Sequence, residues 1–321
     1  WQGLGPFKTV GWVDDTSGLG AGAMDEEQFL AAARTHMRFT ADALKAVLRE
    51  REQRLVIAVF TSTDRIAHMF YRYVDAEHPA APGGAGPLAT AIDDSYVEMD
   101  RIIGEVHGLL APADTLVVMS DHGFDSFRRG VNLNTWLVRE GFLAVKRGVR
   151  EPRDFFRDVD WSRSKAYALG TGAIYLNRAD REAQGIVTAA QAAAIVQAIE
   201  QGLAGLRDGK TRVVSATYRG DQIFAGPLRR NAPDLRVAVA SGYRASWATS
   251  LGGMPRALLE DNDKKWSGDH ASSRPEDVPG ILVSNRRVHA SSPRLEDIAA
   301  TAFAFFGVPA PSGLAGRPLF E

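Results

Sequence analysis

The stretch TLVVMSDHGF, residues 115–124, runs from apolar residues straight into Ser-Asp-His-Gly at 120–123. A short β-branched apolar run of this kind is typical of a strand buried on both faces of a sheet. A second such run, RLVIAVF at 54–60, ends in Thr-Ser-Thr-Asp at 61–64. In open α/β sheets, ligands bind beyond the carboxyl ends of the strands. The two runs therefore predict that Asp64 and Asp121 lie together at one edge of a sheet.

Helical patterns separate these runs. Asp25 and Gln28 have the spacing of a capping box, and apolar residues follow at every third or fourth position. A second helical stripe ends at Pro112, VPGILVSN at 278–285 predicts another buried strand, and 292–309 predicts a terminal helix. This alternation predicts an α/β fold, a three-layer α/β/α sandwich around a mostly parallel sheet.

The middle of the chain has a different pattern. KAYALGTGAIYLN at 165–177 predicts two strands around a glycine turn, and an alanine-rich helix follows at about 188–206. TRVVSATYR at 211–219 and PDLRVAVASGY at 233–243 are further strand candidates. We therefore predict a smaller inserted α+β subdomain at 141–249, within a main α/β core formed by 1–140 and 250–321.

The composition limits the classes of function. The 321 residues carry a formal net charge of −1, which gives no electrostatic footprint for a nucleic-acid duplex. No apolar run approaches the length of a membrane span. The chain has no cysteine, so a metal site would use histidines and carboxylates. The compartment, cytoplasmic or exported, and the oligomeric state stay open.

Five residues have the chemistry of metal ligands. Asp64 and His68 are spaced i, i+4, so in a helix they share one face and can reach one divalent ion. An exposed ion pair is the alternative for these two, and a helix cap with a structural histidine is the alternative for Asp121 and His122. His270, within WSGDHASS at 266–273, reads in isolation as a loop histidine. The remaining histidines are expected at the surface: His36, His78, His107 and His289.

Taken together, these motifs resemble a known family. FTSTDRIAHMFYRYVD at 60–75, VVMSDHGF at 117–124 and WSGDHA at 266–271 occur in the order found in the alkaline phosphatase superfamily. The chain most resembles the type I phosphodiesterase/nucleotide pyrophosphatase branch, over essentially its whole length. The resemblance implies a metal-dependent hydrolase of phosphate esters, acting on a small phosphodiester or nucleotide.

The resemblance also implies two divalent metal ions, with Zn²⁺ expected and Mn²⁺ as the alternative. One ion would be held by Asp64, His68 and His270. The other would be held by Asp121 and His122, together with an upstream aspartate and an upstream Thr or Ser nucleophile. Nothing in residues 1–53 resembles those parts of the family, so the nucleophile is expected upstream of Trp1. We accordingly expect residues 1–321 alone to hydrolyse bis-p-nitrophenyl phosphate poorly or not at all, and the full-length protein to turn it over.

Two rival interpretations remain at this point. A phosphomonoesterase, phosphonate hydrolase or sulfatase of the same superfamily would share these motifs. A non-catalytic relic of the fold, acting as a binding protein, would also retain them. A structural Ca²⁺ site is disfavoured because histidine is a poor ligand for that hard cation.

Overall fold

The computed structural model describes residues 14–83 and 86–320, which form a mixed α/β structure. Helices within these residues are α1 (Thr16–Gly20), α2 (Glu26–Glu50), α3 (Ser62–Val74), α4 (Ala91–Leu109), α5 (Leu133–Arg139), α6 (Ala189–Ala204), α7 (Gly220–Ile223), α8 (Trp247–Ser250) and α9 (Asp297–Phe305), with short 3-10 turns at Trp161–Arg163 and Arg229–Asn231. None of them has the length and apolarity needed to cross a bilayer.

Twelve strands, most of them short, lie within the same residues. They are β1 (Val117–Met119), β2 (Asp125–Val131), β3 (Ala166–Leu169), β4 (Ala173–Leu176), β5 (Arg207–Asp208), β6 (Thr211–Arg212), β7 (Val214–Arg219), β8 (Leu235–Val239), β9 (Gly242–Ala245), β10 (Leu259–Asp261), β11 (Gly268–Asp269) and β12 (Leu282–Ser284). The two larger sheets have the order β10–β2–β11, with β9 also on β2, and β3–β4–β8–β7. Strand β2 pairs with β9, β10 and β11, so it joins β11 to the other strands of its sheet.

Helix α2 confirms the predicted capping box. The Asp25 carboxylate accepts the Gln28 amide at 2.7 Å, and the Gln28 side chain accepts the Asp25 amide at 2.9 Å. These bonds satisfy backbone donors that the first helical turn leaves free. The buried face of α2 packs against α3 and α4, and Phe29 contacts Phe70 in the core between the helices. This packing fixes the position of α3.

The middle of the chain forms the elements predicted from its sequence. Strands β3 and β4 pair as a hairpin, α6 follows, and β7 pairs with β8. Their inner faces share one hydrophobic cluster, in which Ile174, Leu176 and Leu203 are fully buried. That cluster extends from Val131 to Met254. The division into an inserted subdomain at 141–249 and a core at 1–140 and 250–321 remains a prediction.

The prediction of a buried strand at RLVIAVF was wrong. Residues 54–60 contain neither strand nor helix, and Leu55, Ile57 and Val59 are exposed. Within the described residues this segment has no strand partner and no layer covering its outer side chains. A β-branched run does not form a strand without a neighbouring strand to bond with.

The two other core strands are shorter and less buried than predicted. Strand β1 covers three residues of 115–120, and β12 covers three of 278–285. They pair with each other in antiparallel fashion, and Ile281 and Val283 remain exposed. Among the described strands only β2 and β9 pair in parallel, so the expected mostly parallel sheet is not found there.

The C-terminal segment forms the predicted helix. Helix α9 forms as predicted and ends before Gly307, which adopts a positive φ of 63°. Leu295, within the segment predicted as helix, precedes α9 and is exposed. Expectations about the opening stretch at residues 1–13 lie outside the described residues.

Candidate metal centre

Helix α3 places two of the five predicted ligands on one face. Asp64 lies in its first turn, where the helix dipole favours a carboxylate. One turn later, His68 Nε2 lies 3.5 Å from Asp64 Oδ1, as the i, i+4 spacing predicts. Arg65 is also buried and pairs with the other oxygen of the same carboxylate, Nη1 to Oδ2 at 3.1 Å. The Asp64 carboxylate is therefore held from both sides.

The ring of His68 is fixed in one tautomer. Its Nδ1 lies 2.7 Å from the carbonyl oxygen of Gly268. Because a carbonyl only accepts, Nδ1 carries the proton and donates it, which leaves the Nε2 lone pair directed at Asp64. The ring is only 3% exposed and stacks on Trp266 at 3.8 Å between centroids. His68 is thus held in one orientation, with Nε2 facing Asp64.

Strand β11 can approach His68 because position 268 is glycine. A Cβ at Gly268 would lie 2.6 Å from the carbonyl oxygen of Ala67 and 2.9 Å from Cβ of Tyr71. Both atoms belong to α3, so any side chain would push β11 away from the helix. The glycine permits the hydrogen bond that orients His68.

His122 and His270 reach the same carboxylate oxygen from other parts of the chain. The Nε2 atom of each lies 3.9 Å from Asp64 Oδ1. Their rings stack face to face, 3.4 Å apart and 11° from parallel. His122 Nδ1 lies 3.0 Å from the carbonyl oxygen of Gly123, so it also carries the proton and leaves Nε2 free. Three imidazole nitrogens therefore surround one carboxylate oxygen.

Asp121 borders this group. Its side chain is 68% exposed, and Oδ2 lies 3.5 Å from His122 Nε2. We call the five residues the Asp/His cluster: Asp64, His68, Asp121, His122 and His270. Their roles as metal ligands remain a prediction.

Three members of the cluster lie close enough together to form one candidate group. Ligand atoms of Asp64, His122 and His270 all lie within 4.8 Å of one another, which makes them a candidate set for one ion. His122, expected in a second site with Asp121, is as close to Asp64 as His270 is. The described residues alone therefore do not separate His122 from the first site.

Electrostatics favour the protonation states that a metal requires. Burial alone would raise the pKa of Asp64, but the adjacent His68 and the nearby charge of Arg65 hold that pKa below its usual value. Burial lowers the pKa of His270, and the positive charge that His122 can carry lowers it further. At neutral pH, Asp64 is ionised and His270 is a neutral donor.

Two of the histidines expected at the surface are there, and two are not. His107 and His289 are exposed as expected. His78 is buried, because its Nε2 donates to the carbonyl oxygen of Phe127 at 2.8 Å. His36 is partly buried, with Nδ1 3.2 Å from Ser62 Oγ and 3.7 Å from Asp14 Oδ2.

The supports of the cluster were missed by the sequence-based reasoning. Trp266 stacks on His68, Phe124 meets the same ring edge-on at 4.7 Å, and Asp269 precedes His270. Phe124, Trp266 and Asp269 lie inside the motifs that contain the ligands, so proximity to a ligand was the available signal. Arg244, which pairs with Asp269 at 2.6 Å, lies in no such motif.

The mixed α/β fold thus carries a cluster of imidazoles around a carboxylate, which is a candidate metal site. Type I phosphodiesterase/nucleotide pyrophosphatase is the family whose model matches, over residues 19–272. The chain belongs to this family. The match includes all five residues of the Asp/His cluster.

Solved structures give more distant likenesses. A mutant of the alkaline phosphatase PafA is 13% identical with a TM-score of 0.44, and the alignment covers 88% of this chain and 51% of that one. Murine ectonucleotide pyrophosphatase/phosphodiesterase 5 is 13% identical with a TM-score of 0.37, covering 78% of this chain and 61% of that one. This chain thus spans between half and two thirds of their lengths, and likenesses this distant carry no argument about the site. No curated protein sequence matches the chain significantly.

Proposed function

We propose that this chain provides the metal-binding part of a phosphate ester hydrolase, specifically a phosphodiesterase/nucleotide pyrophosphatase. The observation that carries the proposal is the convergence of three imidazole Nε2 atoms on Asp64 Oδ1, at 3.5 Å, 3.9 Å and 3.9 Å. Membership of the family supports the same reaction class. The three-layer sandwich with an inserted subdomain remains part of the proposal.

The residues present fit a zinc ion. Zn²⁺ bonds of about 2.0–2.2 Å place tetrahedral donors about 3.3–3.6 Å apart, close to the separations within the cluster. Imidazole nitrogen and carboxylate oxygen without thiolate suit Zn²⁺ and also allow Mn²⁺. The hydrogen bonds at Nδ1 of His68 and His122 leave Nε2 of each ring available to a metal.

In the proposed assignment, Asp64, His68 and His270 hold one ion, and Asp121 and His122 contribute to a second. The exposure of Asp121 leaves its carboxylate free to turn toward such an ion. Since His122 also lies near Asp64, the two sites would be adjacent, as in other two-metal phosphoryl-transfer centres.

The residues of the cluster prepare a site for a phosphodiester. A bound divalent ion supplies Lewis acidity, which lowers the pKa of a hydroxyl and stabilises negative charge on phosphoryl oxygens. The Asp64 carboxylate lies between the three imidazoles and keeps them close together. The buried ring of His68 excludes water from one side of the cluster. The proposed nucleophile is a Thr or Ser hydroxyl outside the Asp/His cluster.

The first test measures metal binding by the chain of residues 1–321. After dialysis against ZnCl₂ and then metal-free buffer, elemental analysis should find bound zinc. A variant with His68, His122 and His270 all changed to Ala should retain none. A control with the exposed His107 and His289 changed to Ala should bind as the wild type does. Equal zinc content in both variants would sink the proposal, and wild-type protein without zinc would favour the non-catalytic alternative.

The second test addresses the substrate class. Rates on bis-p-nitrophenyl phosphate, p-nitrophenyl phosphate and p-nitrophenyl sulfate separate a diesterase from a monoesterase and a sulfatase. We expect any turnover by residues 1–321 to depend on zinc and to be fastest on the diester. Faster hydrolysis of the monoester or of the sulfate would refute the diesterase assignment.

A further inference from the structure

One buried carboxylate lies behind two of the histidines of the Asp/His cluster. Asp269 is only 5% exposed, and both oxygens of its side chain accept hydrogen bonds. Its Oδ1 accepts the backbone amides of His270 at 2.9 Å and Ala271 at 2.8 Å. These two bonds fix the backbone from which the imidazole of His270 projects.

The other oxygen of Asp269 acts on His68 through a tryptophan. Oδ2 accepts the indole N–H of Trp266 at 2.8 Å. The Trp266 ring stacks on the imidazole of His68, 3.8 Å away and 30° from parallel. Because the hydrogen bond sets the orientation of the indole, it also sets the surface on which His68 lies.

Arg244 completes this arrangement. Its Nε lies 2.6 Å from Asp269 Oδ2, and both side chains are about 6% exposed. The guanidinium also lies over the ring of Trp247, 4.1 Å from its centroid, and 5.2 Å from that of Phe127. The ion pair compensates the burial of the carboxylate, and both of its oxygens accept hydrogen bonds.

The segment after His270 is held at its far end as well. Ser272 is buried and has a positive φ of 71°, which is uncommon for a residue other than glycine. Its carbonyl oxygen accepts the Val239 amide at 2.7 Å, and its Oγ accepts the Ala245 amide at 3.3 Å. The loop of residues 269–272 is thus restrained on both sides of the imidazole.

We infer that Asp269 is a positioning residue, whose single carboxylate orients His270 through the backbone and His68 through Trp266. It acts on two ligands held in different parts of the chain and does not itself bind the metal. The expected effect on zinc affinity rests on the proposed function. The orientation of the two imidazoles can be measured on the metal-free protein.

The experiment uses Asp269→Asn and Trp266→Phe in the chain of residues 1–321, alone and combined. Asn keeps one oxygen that can accept from the two backbone amides. Its NH₂ group replaces the oxygen that accepts from the Trp266 indole and pairs with Arg244, so both of those interactions are lost. Phe keeps a ring against His68 and loses only the N–H. The matched control is Asp125→Asn, since Asp125 lies opposite Asp269 in the β2–β11 pair and bonds to Ser126 and Ser241.

Zinc affinity by calorimetry is the first readout. We expect Asp269→Asn to weaken Zn²⁺ binding by about 10–100-fold, the range typical of residues that orient metal ligands. Trp266→Phe should weaken it less, and the double variant should bind no more weakly than Asp269→Asn, because both changes interrupt one connection. Asp125→Asn should bind as the wild type does.

Imidazole ¹⁵N spectra of the metal-free proteins are the second readout. In Asp269→Asn we expect the signals of His68 and His270 to shift and that of His289 to stay. If neither signal moves, the inference is overturned, whatever the zinc affinity. If both move and the wild type binds no zinc, positioning stands and the proposed function fails.

A variant that does not fold leaves the test intact. Trp266→Phe retains the carboxylate and its ion pair with Arg244, so it should fold even if Asp269→Asn does not. It should move the His68 signal and leave that of His270 unchanged. An unchanged His68 signal in this variant would overturn the connection through Trp266.

Discussion

Two apolar runs with similar sequences have different fates in this protein. Ile174 lies in β4, bonded to β3 on one side and β8 on the other, and is fully buried. Ile57 lies in the run at 54–60 and is 79% exposed. Both runs are rich in residues that favour strands. Strand pairing and a covering layer, which only the first run has among the described residues, decide the outcome.

The residues of the Asp/His cluster lie next to the less packed of the two regions. Asp64 comes shortly after the run at 54–60, and Asp121 and His122 come shortly after β1, with its exposed partner β12. The sheet β3–β4–β8–β7 contains none of the Asp/His cluster. Asp64, His68 and His270 are positioned by α3 and β11, which pack together. The contrast between the packed sheet and the exposed run can be tested by substitutions in either region.

The largest effect on stability is expected in the packed sheet. Ile174→Ala should lower the free energy of unfolding by about 2–5 kcal/mol, because it removes buried methyl groups and leaves a cavity. Urea denaturation followed by circular dichroism measures it. Zinc affinity of the folded variant should be unchanged. A loss below about 1 kcal/mol would mean that this sheet is no better packed than the exposed run.

Asp64→Asn is expected to have the largest effect on metal binding. It removes the charge around which three imidazoles gather, so Zn²⁺ affinity should fall more than about a hundredfold, or about 2.7 kcal/mol. Asp93→Asn, at an exposed acidic position in the first turn of α4, is the control and should bind zinc normally. Equal affinities for the two variants, measured by calorimetry, would remove Asp64 from the site.

Acid should release the metal. Zinc binds neutral imidazole, and the lowered pKa of His270 keeps that ring neutral somewhat below its usual titration range. Protonation competes with the metal as pH falls through that pKa, so affinity should be full near pH 7 and fall steeply below about 6. Zinc titrations between pH 5 and 8 measure this, and unchanged zinc content at pH 5 would contradict it.

Gly268→Ala tests whether the contact of β11 with α3 positions His68. The new Cβ would meet the backbone of Ala67, so β11 should shift and lengthen the bond from His68 to the residue 268 carbonyl. We expect zinc affinity to fall about tenfold, at the lower end for changes that disturb ligand orientation. Gly104→Ala, with open space at its Cβ, should leave zinc binding unchanged. The same affinity in both variants would show that the close approach is not needed.

The smallest effect is expected at the exposed run. Ile57→Ala should change the free energy of unfolding by less than about 0.5 kcal/mol and leave zinc affinity unchanged, because the side chain loses almost no contacts. Urea denaturation and zinc calorimetry of this variant, measured in parallel with Ile174→Ala, test the difference between the two runs. A loss of 2 kcal/mol or more would mean that this run is covered in solution.

Local patterns predicted local structure well. The Asp25–Gln28 capping box and the Asp64–His68 pair depend on residues three or four apart, and both formed as expected. The burial of His78 depends on a carbonyl 49 residues away, and the pairing of Asp269 with Arg244 joins separate strands. Contacts of that kind leave no periodic signal in one sequence. The failed strand at 54–60 shows the same limit, since pairing depends on what lies beside a run.

The exposed run also bears on how the chain behaves in concentrated solution. LVIAVF, at 55–60, is a six-residue window without charge, proline or glycine. Windows of this composition, accessible and unpaired, can stack between molecules into cross-β fibrils. The preceding charge gives limited protection, because the Arg54 guanidinium lies over the ring of Phe306, 5.3 Å from its centroid. We therefore expect the colloidal stability of this chain to be limited by a short hydrophobic segment that lies just ahead of Asp64.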